Sequence, residues 1–544
     1  MRAIDLYAGI GGWSLGLKLA GVEVVASYEW WQPAIDTHNG NHGGHVTPVD
    51  IRTLRLEDLP SEIDLVVGSP PCTEFSYSNR GGSGNLSEGL KDLVKFLEIV
   101  DHLRPRFWAF ENVPRVAEVL RHGLRTPGHP LHQFRHLAPQ IEVVDFSRFG
   151  TPQSRRRCVA GNIRFDLIEA YGQKIASRTL GDVVRSLSAG PTVRDPVWSL
   201  ELPRDRLTEM ETEPALNAEE RRMNEEAKTF HPIYNNMSFP DALGAPGRTV
   251  TATCTRVSRE SIVIADPADP NAFRRLTIRE RACLQGFPIT YQFYARSFAE
   301  KAKMVGNAIP PTFTYLIGLA AQEIAPADLR PFEQAAAGLA LPARKAPVTP
   351  PNTEGRTYPV GRTFRAALKG LRFKSGMRFE LANVRGQGGV SWTVRFFFGP
   401  SSDIRQIELD EELLRQLQGS PFIQRTLMRL GVRFAEAEQR LEASTPEGLQ
   451  AAWNHRARGL GPYEVADLLA ALAEAVLDEL RAASNDVRHA ALGYVIEAAD
   501  EGELGDNIPG SRKLKHYALE ILSGMVVGAW FNSLGWHGRC RAAA

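Results

Sequence analysis

The chain has 544 residues, with 64 Lys and Arg against 63 Asp and Glu, a formal charge of +1, and a composition that is 43% hydrophobic and 23% charged. At roughly 100 to 200 residues per domain this predicts three or more compact units, and it excludes a disordered, collagen-like or small disulfide-stapled chain. Because the net charge is near zero, a polyanionic partner would have to be attracted by local patches and not by the field of the whole molecule.

From Met1 to about Gln322, short apolar runs alternate with helical patterns in the βαβ rhythm of a parallel sheet covered by helices. Ala3 to Tyr7 reads as the first strand. The glycines of Asp5-Leu-Tyr-Ala-Gly-Ile-Gly-Gly12 follow it directly and precede a helix expected near Trp13. Glycine lets the backbone approach a ligand there, and the helix start offers free N–H groups. Val22 to Tyr28 reads as the second strand, and Glu29 at its end stands where an acid binds ribose hydroxyls. These two features point to an adenosine-containing cofactor, either a dinucleotide or S-adenosylmethionine.

Ile63 to Val67 reads as a third or fourth strand, leading into Gly68-Ser-Pro-Pro-Cys72. That puts Cys72 at the carboxyl edge of the sheet, where open α/β folds bind ligands. The paired prolines stiffen the approach to a thiol that is the best nucleophile in the chain. Phe107 to Phe110 is another strand, ending at Glu111 on the same edge, where a carboxyl can protonate or hydrogen-bond a heterocycle. Gln153-Ser-Arg-Arg-Arg-Cys158 enters a further strand, and Arg155 and Arg157, two apart, share one face and add positive charge beside Glu111. The acidic run from Glu209 to Glu226 reads as helical.

Prolines and alanines between Ala325 and Pro359 predict a linker. Thr363 to Pro400 alternates apolar and polar residues with glycine punctuation and predicts antiparallel strands; helical periodicity follows from Asp410 to Ser484. From Glu354 to Pro400 there are nine Lys and Arg against two acids. Such a strand region could grip phosphates or form a solvated face paired with the acidic helices. No nuclease motif is found; partner binding, with a protein partner left open, or DNA-context sensing is the reading that remains for this domain.

The five cysteines (Cys72, Cys158, Cys254, Cys283 and Cys540) are far apart and form no metal or disulfide pattern. No metal is expected, and Cys158, Cys254 and Cys283 are read as small buried apolar residues. The aspartate at position 5 argues against a signal peptide, and the longest apolar run, Ile521 to Phe531, is too short for a membrane span. A reducing cytoplasmic setting, at the nucleoid and away from membranes, is expected.

Taken together and in order, these motifs resemble the C5-specific DNA cytosine methyltransferases over about residues 1 to 322. The matching segments are Asp5 to Gly12, Gly68 to Cys72, Glu111-Asn-Val113, Gln153-x-Arg155-x-Arg157, Arg275 to Pro288 (Arg-Leu-Thr-Ile-Arg-Glu-Arg-Ala-Cys-Leu-Gln-Gly-Phe-Pro) and Gly306-Asn-Ala-Ile-Pro310. Tyr7 stands where the family usually has Phe, and Val49 precedes Asp50 where the family usually has Gly. The resemblance implies an α/β, Rossmann-like S-adenosylmethionine-dependent methyltransferase fold with a small target-recognition lobe, followed by a C-terminal α+β domain. The boundaries implied are a catalytic domain at 1–164 and 248–324, target recognition at 165–247, a linker at 325–359 and a C-terminal domain at 360–544.

It further implies methyl transfer from S-adenosylmethionine to C5 of a cytosine flipped out of double-stranded DNA, in restriction-modification or phage defence. Cys72 would add to C6, Glu111 would engage N3 and the exocyclic amine, and Arg157, with Arg155 nearby, would hold the carbonyl oxygen. The cofactor contacts implied are Tyr7, Gly9, Gly11, Glu29, Trp30, Asp50 and Asn307. Thr73 to Leu90 would form a loop closing over the base, with Gly81, Gly82 and Gly84 suited to a hinge. Two other readings are an RNA cytosine methyltransferase, whose Cys-Phe-Thr motif is missing here, and a catalytically inactive DNA-binding regulator.

Overall fold

The computed structural model describes residues 1–44, 46–71, 86–188, 190–230, 236–353, 357–373, 376–386, 389–399, 403–482, 490, 493–495 and 511–536. They fall into two compact units, Met1–Lys228 with Met237–Glu354, and Thr229–Asn236 with Gly355–Ala544.

The first unit is built on a seven-stranded sheet: β1 (Arg2–Leu6), β2 (Glu23–Glu29), β3 (Thr47–Pro48), β4 (Leu65–Gly68), β5 (Phe107–Asn112), β6 (Gln140–Asp145) and β7 (Arg156–Gly161). Their spatial order is β3-β2-β1-β4-β5-β7-β6, and β7 runs antiparallel to both its neighbours. Every residue of β4 and β5 is buried, as expected of parallel strands covered on both faces. Alternate residues feed two separate cores. Ala3, Leu65, Val67, Phe107 and Ala109 join one with helix α1 (Gly12–Leu19). Ile4, Val66, Trp108 and Phe110 join the other with Phe96 and Val100 of helix Leu86–Leu103.

The four central strands end in register, with Leu6 opposite Tyr28 and Gly68, and Gly68 opposite Phe110. The loops after them therefore emerge along one edge. The chain's last motif is brought there by close helix packing. A Cβ on Gly16 of α1 would lie 2.5 Å from the Tyr315 nitrogen and 2.7 Å from the Pro311 oxygen, and one on Gly12 would lie 2.3 Å from the Ile309 oxygen. Only glycine lets α1 and helix Pro311–Ala321 approach this closely.

Two expectations are altered. The acidic run is helical only from Ala218 to Thr229. Upstream, Glu209 has a positive φ of 64° and Pro214 lacks an N–H. Glu209 and Glu213 are buried partners of Lys301 and Arg275, not members of a solvated helix. Residues 325–354, read as a linker, run with the first unit: Phe332 and Ala336 are buried in its core, and the Lys301 ammonium donates to the Pro347 carbonyl.

In the second unit, Arg365–Arg372, Arg378–Gly386, Gly389–Phe398 and Arg405–Ile407 form an antiparallel sheet in sequence order. Helix Ala518–Ser533 packs on it through Gly524, where a Cβ would sit 2.6 Å from the Phe379 ring. Much of the basic surface predicted for these strands is engaged within the unit. Arg365 and Arg378 share Glu380, Arg385 donates to the Val360 carbonyl, and the Arg362 guanidinium lies 3.7 Å and 3.5 Å from the Tyr358 and Trp453 ring centres.

Candidate active site

The turn between β1 and α1 is held by Glu29 at the end of β2. One Glu29 oxygen accepts the Gly9 N–H at 2.9 Å and the other accepts the N–H groups of Trp30 and Trp31, each at 2.9 Å. Tyr7, Gly9 and Gly11 all have positive φ (56°, 53° and 89°). At Gly11 a Cβ would lie 2.6 Å from His42 Nε2, so glycine is required there for space as well as for conformation. Gly11 offers no side-chain cap to α1, which leaves the first N–H groups of that helix available to a ligand carboxylate. The Tyr7 hydroxyl donates to Asp92, which the Arg52 guanidinium grips at 2.6 and 2.9 Å. Trp30 is 71% exposed. Asp50 is exposed and its carboxylate accepts the Arg52 N–H at 3.0 Å.

Asn307 ends helix Phe298–Asn307 and is exposed. Its neighbours are fixed on both sides: Arg155 donates to the Gly306 carbonyl at 2.9 Å, and Gln285 donates to that of Ala308. The Ile309 carbonyl lies against Gly12, which sets Asn307 beside the glycine loop. A glycine turn, a carboxylate at the end of the second strand, uncapped helix N–H groups and an exposed amide fit the adenosine and amino-acid ends of S-adenosylmethionine.

On the other side of the strand edge, Glu111 is 5% exposed and pairs with Arg157, whose Nε lies 2.9 Å from Oε1. Strand register explains the pair, since Asn112 lies opposite Cys158 and Glu111 opposite Val159. Arg155, expected beside Glu111, is directed elsewhere: it is 2% exposed and donates to the carbonyls of Val250 and Gly306. Cys72 and residues 73–85 of the expected closing loop lie outside the described residues. The chain leading to Cys72 is anchored at two points. Ser69 Oγ accepts the Trp13 indole N–H at 2.9 Å, and the Pro70 carbonyl accepts the Asn112 amide at 2.9 Å. Asn112 therefore ties the approach to Cys72 to the residue after Glu111.

A family model for C-5 cytosine-specific DNA methylases matches residues 1–323. The chain belongs to this family. Among its relatives, the type II methyltransferase M.NgoPII of Neisseria gonorrhoeae is 27% identical over 334 residues, 59% of this chain and 95% of the relative. M.HindV of Haemophilus influenzae is 28% identical over 318 residues, 57% of this chain and 92% of the relative. The solved Dnmt2 methyltransferase of S. pombe is 18% identical with a TM-score of 0.42, covering 60% of this chain and 99% of that one. The resemblance drawn from the motifs is borne out at the level of family and fold. Methylation of cytosine in double-stranded DNA, with S-adenosylmethionine as donor, is the chemistry of this methylase family. Among the described residues no helix is long and apolar enough to cross a membrane, and no cluster suits a metal ion.

Sequence reasoning gave no role to Asn112, Gln153, Asp92 or Arg52. A polar residue directly after Glu111 at the end of a buried strand was the available signal for Asn112. Gln153 is fully buried, donates to the Leu284 carbonyl and accepts the Val250 N–H at 2.7 Å, joining three segments that are remote in sequence.

Proposed function

We propose that the protein is a DNA (cytosine-5)-methyltransferase that works through a covalent Cys72 adduct and serves in restriction-modification or phage defence. The observation that carries this reading is the Glu111–Arg157 pair at the carboxyl edge of the sheet, joined by Asn112 to the segment that leads to Cys72.

Cytosine C5 is a poor nucleophile buried in the duplex, so the base must first leave the stack, at a cost of a few kcal/mol. The Cys72 thiolate adds to C6, and Glu111 holds N3 and the exocyclic amine, so that the ring becomes enamine-like at C5. Arg157 offsets the charge that develops on the ring oxygen while its ion pair keeps Glu111 oriented. S-adenosylmethionine supplies the methyl group to C5 when bound. Loss of the C5 proton then expels the Cys72 thiolate.

Glu29 fixes the cofactor loop and would offer a lone pair to a ribose hydroxyl; Tyr7, Trp30 and Asp50 would hold the adenine and Asn307 would close the site. Arg155 acts by positioning the Gly306-Asn307 turn. Residues 165–247 are assigned to target recognition. The test is to incubate a mixed-sequence plasmid with the protein and S-adenosylmethionine and to map protected cytosines by bisulfite sequencing. Protection at a defined sequence is expected in the wild type and absent in Cys72→Ala. Protection in tRNA and none in the plasmid would overturn the reading.

A further inference from the structure

Cys158 and Cys283 are fully buried, as a small apolar residue should be. Burial pushes the Cys158 thiol up to about 12 and the Cys283 thiol well above its ordinary value. Cys254 departs from that expectation. It is only partly buried, and its sulfur accepts from Arg281 Nη1 at 3.0 Å and Arg275 Nη1 at 3.6 Å.

The two arginines are not equivalent. Arg275 is matched by the Glu213 carboxylate. Arg281, 4% exposed, makes no salt bridge among the described residues; its Nε donates to the Leu276 carbonyl and its Nη2 is buried with no hydrogen-bond partner. Arg281 and Cys254 line the same small cavity with Thr251 and Glu260. A guanidinium stays charged, and burying it without a counter-charge is costly. Of the two groups to which Arg281 donates, the Leu276 carbonyl and the Cys254 sulfur, only the sulfur can carry that charge. Burial alone would push the thiol up, but Arg281 and Arg275 outweigh this and hold it below its ordinary value.

We infer that Cys254 is a modification site, a thiolate that reacts with hydrogen peroxide to form a sulfenate stabilised by Arg281. The thiolate sulfur attacks one peroxide oxygen, an S–O bond forms and the O–O bond breaks. Sulfur loses two electrons, and the leaving hydroxide takes the proton of the sulfenic acid so formed, giving sulfenate and water. The unpartnered Nη2 provides a donor for the new oxygen. The segment bearing the thiol is bound to the cofactor turn: Arg155 joins the carbonyls of Val250 and Gly306, and Gly306 has backbone atoms of Thr251 and Ala252 where a Cβ would lie. This inference concerns a thiol apart from the methyl-transfer residues and does not depend on the mechanism proposed above.

The test treats the full-length protein with substoichiometric hydrogen peroxide, traps sulfenate with dimedone and maps it by peptide mass spectrometry. Iodoacetamide alkylation of Cys254 is followed against pH in parallel. The dimedone adduct is expected at Cys254 at peroxide levels that leave Cys158 and Cys283 unmodified, with an alkylation midpoint below that of a free cysteine. Arg281→Gln should slow both reactions at pH 7 at least tenfold. If that variant does not fold, the wild-type alkylation profile decides by itself. A Cys254 midpoint at or above that of free cysteine, or labelling no faster than at Cys158, would overturn the inference.

Discussion

Glu111→Gln keeps the shape of the side chain and removes the charge that faces Arg157 at 2.9 Å. At an effective dielectric of about 20, two unit charges at that distance attract by roughly 6 kcal/mol. Desolvation of both groups cancels much of this, and removing one partner of a buried pair typically costs about 3 to 5 kcal/mol. Arg157 keeps its bond to the Arg156 carbonyl and its side chain is 15% exposed. The lower end, about 3 kcal/mol, is therefore expected in denaturant unfolding. Loss of a positioned proton-handling group should separately reduce kcat by roughly 100- to 10,000-fold. Methyl transfer from radiolabelled S-adenosylmethionine gives kcat, and calorimetric titration gives cofactor affinity, which should stay within about threefold because the cofactor loop is held by Glu29, whereas Glu111 is paired with Arg157. A kcat within threefold of wild type would refute the assigned role. Parallel loss of cofactor affinity and activity would show that the pair matters only for folding.

Cys72→Ala should abolish methyl transfer and leave cofactor binding intact; measurable turnover in the radiolabel assay would sink the covalent mechanism. In Gly306→Ala the new Cβ meets Thr251 and Ala252 backbone atoms at 2.4 to 2.5 Å. Such overpacking costs about 1 to 3 kcal/mol, and the displaced Asn307 should raise KM for S-adenosylmethionine more than it lowers kcat. Burial lifts the Asp5 carboxyl to about 7 from its usual 3.8, so the folded chain keeps a proton that the unfolded chain has released. The Asp5 contribution to stability is full below pH 3.8 and declines up to pH 7, by at most about 4 kcal/mol. Asp5→Asn should flatten that decline in denaturation curves taken between pH 4 and 7, and an unchanged slope would count against a protonated Asp5. Since many arginines of the second unit are bonded within it, removing residues 355–544 should leave the slope of log DNA affinity against log salt within about one unit of the full chain. A larger change would indicate phosphate contacts in that unit.

The parts of this protein legible in the sequence are those set by local chemistry. The strands β4 and β5 were readable because they are buried throughout and begin with continuous apolar runs, while β1 and β2, broken by Asp5 and Ser27, were readable from shorter apolar stretches. The glycine loop was readable because its positive φ values exclude most other residues. The order of motifs was enough to name the family. What the sequence left undecided was pairing. Two arginines spaced for one strand face look alike in sequence, yet strand register gives Arg157 to Glu111 while Arg155 clamps the carbonyls of Val250 and Gly306. Glu213 belongs to Arg275, 62 residues away, and Cys254, one of three cysteines that read alike, acquires Arg281 as its neighbour. Residue type and local spacing fix which groups are charged and which strands and turns form. Only packing between segments far apart in the chain decides which charge faces which, and thereby whether a thiol stays inert or an arginine serves the turn that bears Asn307.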